Sequence, residues 1–131
     1  MKVIIDTNIL FSSLLSRNSI IRTILMNPKY HFFAPNFLFL EIFKHKDKIF
    51  KHTKEKQEEV YLFLEKSLKQ IKFVNESIIS EENYLNAFKL CKNIDEKDTP
   101  FIALALEIKA KLWSGDKKII QHLSNQNLNY Q

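Results

Sequence analysis

Short apolar runs punctuate the chain: KVII at residues 2–5, YHFFAP at 30–35, IKFV at 71–74 and KLWSG at 111–115, with longer helical patterning between them. Runs of this length, rich in β-branched and aromatic residues and without polar alternation, read as strands buried on both faces. Strands that alternate with helices pair in parallel, because each connection crosses back over the sheet, and the crossing helices cover both sides. That alternation alone confines the chain to an α/β architecture. Its 131 residues suffice for one core and are too few for two domains of ordinary size, so a single domain over 1–131 is expected.

Helical patterns cover NILFSSLLS and SIIRTILM, with Asn18 or Ser19 as cap of the second and Asn27-Pro28 as its end. Pro35 stops the second strand, and Asn36 is the expected N-cap of FLFLEIFKHKDKIF. A helix from about Thr53 to Leu68 would place Val60, Leu64 and Leu68 inward, and Ser80 should cap SEENYLNAFKLCKN. Pro100 falls in the first turn of FIALALEIKA, where a missing N–H is harmless. DKKIIQHLSN reads as a short helix and LNY as a candidate fifth strand.

Several chemistries are excluded. The only glycine, Gly115, stands between a strand and a helix, where positive φ or close approach is expected, and one glycine cannot build a phosphate-cradling loop. Cys91, the only cysteine, permits no intramolecular disulfide or thiolate cluster and reads as a packed core residue. The four histidines show no i, i+4 pair, which argues against a histidine metal site and leaves a hard, oxygen-ligated ion. No apolar stretch approaches the roughly 20 residues of a membrane span and no signal-peptide pattern is present, so the expected compartment is the cytoplasm. Most of the 11 phenylalanines lie in apolar runs and are expected in the core.

The net charge of +5 is concentrated in KHKDKIFKHTKEK, residues 44–56, where six lysines and two histidines face only Asp47 and Glu55. Such a run is either a solvated helix face or a surface for a polyanion.

Parallel α/β sheets bind ligands outside the carboxyl ends of their strands. Asp6 ends the first strand and Asp116 follows KLWSG, so both should reach that edge. Glu41, within FLFLEIF, sits among apolar neighbours that penalise an unpaired charge, so it needs a partner: a cation, a metal, or Lys44 or His45 one turn away. Asp98 opens the FIALAL helix, whose N-terminal field favours an anion. Each acid also has an ordinary reading, as a helix cap for Asp6, Asp95 and Asp98 or a turn residue for Asp116.

VIIDTNIL, APNFLFLEIFKH, DEKDTPFIALAL and LWSGDKKI, in this order and at these separations, resemble the PIN-domain nucleases, in particular stand-alone toxin-type (VapC-like) members, over nearly the whole chain. The resemblance implies a three-layer α/β/α sandwich with a parallel sheet of about five strands in the order 3-2-1-4-5. It implies an acidic pocket for Mg²⁺ or Mn²⁺ with Asp6, Glu41, Asp98 and Asp116 as catalytic metal ligands, Asn8 and Ser114 as polar supports and Asp95 nearby. Many relatives carry another acid two positions after the last aspartate, where this chain has Lys118, so the resemblance implies a weaker second-metal side of the pocket.

Converging carboxylates repel one another and are tolerable around a divalent cation, which makes a water more acidic and offsets charge on a leaving oxygen. The implied activity is hydrolysis of RNA phosphodiesters, with Lys44, Lys46, Lys48 and Lys51 holding backbone phosphates and with a cognate antitoxin and a homodimer as partners. The alternative is a catalytically silent module of the same fold that binds RNA or protein. A haloacid-dehalogenase-type phosphatase would need an aspartate in place of Asn8, and a response-regulator receiver would need adjacent acids near the first strand.

Overall fold

The computed structural model describes residues 1–15, 20–92 and 95–114. Four strands, β1 (Lys2–Ile5), β2 (His31–Pro35), β3 (Ile71–Val74) and β4 (Lys111–Trp113), form one parallel sheet in the order β3-β2-β1-β4. This is the expected order as far as it is described; LNY and the helix over DKKIIQHLSN lie outside the described residues. In β1 successive side chains point to opposite faces, yet Val3, Ile4 and Ile5 are all buried, so both faces of the sheet are covered.

The helices are α1 (Thr7–Leu15), α2 (Ile20–Leu25), α3 (Asn36–His52), α4 (Gln57–Gln70), α5 (Glu81–Cys91) and α6 (Thr99–Ile108). α6 packs against β1, β2 and β4 and carries α5 on it, while α1 packs against α2, α3 and α4. Ile102, Ala103, Leu104 and Ala105 of α6 are buried in succession, as expected of a helix enclosed by the sheet on one side and α5 on the other. Of the phenylalanines, Phe32 and Phe101 are buried, six more pack half-buried against the core, and Phe39, Phe43 and Phe88 are exposed.

Two helix boundaries differ from expectation for identifiable reasons. α3 begins at Asn36 itself, with Pro35 in the capping position and no local side chain capping it. Its orphan amide at Phe37 instead donates to Glu76 Oε1 at 2.8 Å, so the cap comes from the short 3₁₀ turn Glu76–Ile78 after β3. α4 begins at Gln57, not Thr53: Thr53 is extended, its hydroxyl accepts from the Glu55 amide and donates to the Leu14 carbonyl, and these bonds hold the 53–56 segment out of the helix. Ser80 caps α5 as expected, its Oγ accepting from the Asn83 amide at 3.2 Å.

Arg22 ties the α1, α2 and α4 side of the molecule together. Its guanidinium bonds Glu55 at 2.7 Å, donates through Nε to the Ser13 carbonyl, and lies 4.3 Å from the centre of the Phe63 ring. Neither partner of the pair is more than 14% exposed.

Candidate active site

β1 ends where its backbone is still paired to the sheet: the Asp6 amide donates to the Trp113 carbonyl of β4 at 3.1 Å, and α1 starts at the next residue. The Asp6 side chain is therefore fixed at the carboxyl edge of the central strand, and it is only 6% exposed. Its two oxygens have separate tasks. Oδ1 accepts the Asn8 amide at 2.8 Å, the bond of a helix cap, and Oδ2 accepts the buried Ser114 hydroxyl at 2.8 Å just past β4. The capping interaction and a place in a polar cleft coexist in one carboxylate.

That cleft has a volume of about 120 Å³. Asp6, Thr7 and Asn8 form one wall, Glu41 of α3 a second, and Asp95, Lys97, Asp98 and Phe101 the third. Glu41 reaches it because α3 turns Leu38, Ile42 and Ile49 inward and leaves Phe39, Leu40 and Phe43 exposed. The glutamate is thus half-buried at the boundary, not enclosed by its apolar neighbours. Its partner is the Thr7 hydroxyl, which donates to Oε1 at 2.6 Å; neither Lys44 nor His45 pairs with it. Asp95 caps the short turn Glu96–Asp98 by accepting the Lys97 amide at 3.0 Å, whereas Asp98 stands at the N-cap position of α6 without a capping bond from its side chain.

Asp6, Asn8, Glu41, Asp95 and Asp98 thus share one cleft, and Ser114 supports Asp6 from behind it. Asp116, together with Gly115 and Lys118, lies outside the described residues. Among the described residues, no three acidic, histidine or cysteine side chains stand close enough to form a closed metal-ligand set, although four carboxylates line the cleft. The donors are all oxygens, the type that suits Mg²⁺ or Mn²⁺, and the thiol of Cys91 is buried and pushed up to about 12 by that burial and by the Asp98 carboxylate. Sequence reasoning missed Thr7 and Lys97. Both were adjacent to residues it selected, but only packing shows that Thr7 faces Glu41 and that Lys97 joins the cleft.

A family model described as PIN domain matches residues 4–129. In fold the chain is similar to a chain in the crystal structure of VapBC2 from Rickettsia felis bound to a DNA fragment from their promoter, with a TM-score of 0.70 and 15% identity over 100% of this chain and 98% of that one. It is also similar to a chain in the structure of VapBC-1 from nontypeable Haemophilus influenzae, with a TM-score of 0.67 and 19% identity over 100% of this chain and 97% of that one. No curated protein sequence matches it.

Proposed function

The chain belongs to the PIN domain family, and on that premise we propose that it is an Mg²⁺- or Mn²⁺-dependent endoribonuclease, the toxin of a toxin–antitoxin pair. The observation that carries the reading is the cleft in which Asp6, held between Asn8 and Ser114, meets Glu41 and Asp98 at the carboxyl edge of the sheet. Asp6, Glu41, Asp98 and Asp116 would hold the cation. When bound, a divalent cation supplies neutralisation of the clustered carboxylates, a more acidic water and stabilisation of charge on the leaving oxygen.

The chain's own residues prepare the site. Ser114 and the Asn8 amide fix the rotamer of Asp6, and the Thr7 hydroxyl orients Glu41, so two carboxylates are aimed before any ligand arrives. Lys97 brings a cation to the rim of the cleft, where it can meet the scissile phosphate. Lys44, Lys46, Lys48 and Lys51 follow Glu41 on α3 and supply affinity for the RNA backbone. A cognate antitoxin and a second copy of the chain are the proposed protein partners; support for the first comes from the fold's likeness to chains solved as VapBC. No described helix is long and apolar enough to cross a membrane.

Incubation of a mixed single-stranded RNA pool with the protein and Mg²⁺, Mn²⁺ or EDTA tests the reading. Cleavage with either metal and none with EDTA is expected. RNA left intact in every arm overturns it in favour of a silent module of the same fold.

A further inference from the structure

A second cavity, of about 370 Å³, opens beside the acidic cleft in the groove between α1 and α3. Asn8 lines both, so the groove lies next to the cleft. α1 contributes Phe11 and Leu15 from the turns after Asn8, the i, i+3, i+7 spacing of one helix face. α3 contributes His45, Lys48, Ile49 and His52, again one face, and the His45 ring meets Phe11 edge-on at 5.9 Å. The groove therefore has an apolar, aromatic floor with a lysine and two imidazoles around it, and among the described residues no carboxylate lines it. Lys48 and His52 are exposed and unpaired among the described residues, whereas Lys46 of the same helix stands 5.5 Å over the Phe43 ring and does not line the groove.

We infer that this groove is a nucleotide subsite for single-stranded RNA, taking the base of a residue next to the cleaved bond against Phe11 and its backbone phosphate against Lys48. The inference rests on the proposed ribonuclease activity for the direction of the strand out of the acidic cleft. Its own support is charge and shape. A strand whose scissile phosphate lies among carboxylates needs cations at the neighbouring phosphate, and a flat base needs an apolar wall. The cavity is at the lower end of the roughly 300–1,000 Å³ typical of small-ligand sites, as expected for one nucleotide. Among the described residues, this face of α3 sets both features beside Asn8 of the cleft, and its cationic lining favours RNA over a peptide of a protein partner.

Binding of a short fluorescein-labelled single-stranded RNA, followed by anisotropy in EDTA so that no cleavage occurs, separates this subsite from the nuclease reading. Lys48→Ala should weaken binding about fivefold to tenfold at low salt and lower the slope of log K against log salt by about one. Lys89→Ala, an equal charge change on α5 outside the groove, should stay within about twofold of wild type. Phe11→Leu, which keeps the floor apolar, should weaken the base-bearing strand about threefold to tenfold and leave an abasic strand of equal length unchanged. Equal effects of Lys48→Ala and Lys89→Ala, equal binding of abasic and base-bearing strands, or no RNA binding by the wild type overturns the subsite; the first is also what a groove reserved for a protein partner would give. Lys48-dependent binding by a protein that leaves RNA intact in Mn²⁺ would remove the nuclease reading and keep the subsite.

Discussion

At the scale of single residues, Asp6 joins two properties usually opposed: it caps α1 through Asn8 and faces a cluster of like charges. Asp6→Asn keeps an acceptor for the Asn8 amide, and the Ser114 hydroxyl can turn to accept from the new amide, so the local bonds survive while the charge goes. The melting temperature without metal should equal or exceed that of wild type, since repulsion is relieved, while the rise produced by Mn²⁺ shrinks and RNA cleavage falls by orders of magnitude. Melting curves with and without Mn²⁺, beside the cleavage assay, read both. Cys91 gives a pH-dependent signature. Its thiol titrates in the fold at about 12, above the ordinary cysteine value of about 8.5, so the folded state holds a proton that the unfolded state releases first. Its contribution to stability is complete below the unfolded value and is lost as pH rises from there through about 12. Urea melts between about pH 9 and 11 should therefore fall more steeply for wild type than for Cys91→Ala.

At the scale of elements, α3 carries Glu41, Lys48 and half the groove, and its start is held from a distance. Glu76→Ala removes the acceptor for the Phe37 amide and should cost about 1 kcal/mol in urea melts, whereas Asn36→Ala, at the residue that local rules nominate as cap, should cost only a few tenths. Equal losses would return the cap to Asn36. The reason sequence rules pointed to the wrong residue is general: they score neighbours, and Glu76 is 39 positions away. α5 is held in a similar way, because Glu107 of α6 accepts from the Ser80 amide at 2.6 Å and from Asn83, which keep its carboxyl below the usual range. That contribution is present at neutral pH and is lost as pH falls through the lowered value, so Glu107→Gln should flatten the acid limb of the stability curve.

At the scale of the whole molecule, Arg22 is the tie between α1, α2, α4 and the 53–56 segment. Arg22→Met keeps the packing on Phe63 but strands the Glu55 carboxylate at a site only 9% exposed, so thermal unfolding should be destabilised by about 3–5 kcal/mol. Glu55→Gln combined with Arg22→Met should recover part of that loss, because no unpaired charge remains. Neither change touches the cleft, so residual RNA cleavage at low temperature should be near that of wild type.

The sequence by itself determined the architecture: short apolar runs rich in β-branched and aromatic residues, helical periods between them, and an apolar content that buries both faces of β1. It also put Asp6 at the carboxyl edge, because Asp6 is the first residue after a strand, and chain direction decides the edge. Where long-range partners decide, it was silent. Thr7 meets Glu41 across 34 residues and Ser114 meets Asp6 across 108, and the lysine run 44–56 became two different surfaces once α3 turned Lys48 toward α1 and Lys46 over Phe43. Periodicity fixes which residues share a face of one element; which faces then meet, and which carboxylate receives which hydroxyl, is decided by packing between elements distant in the chain.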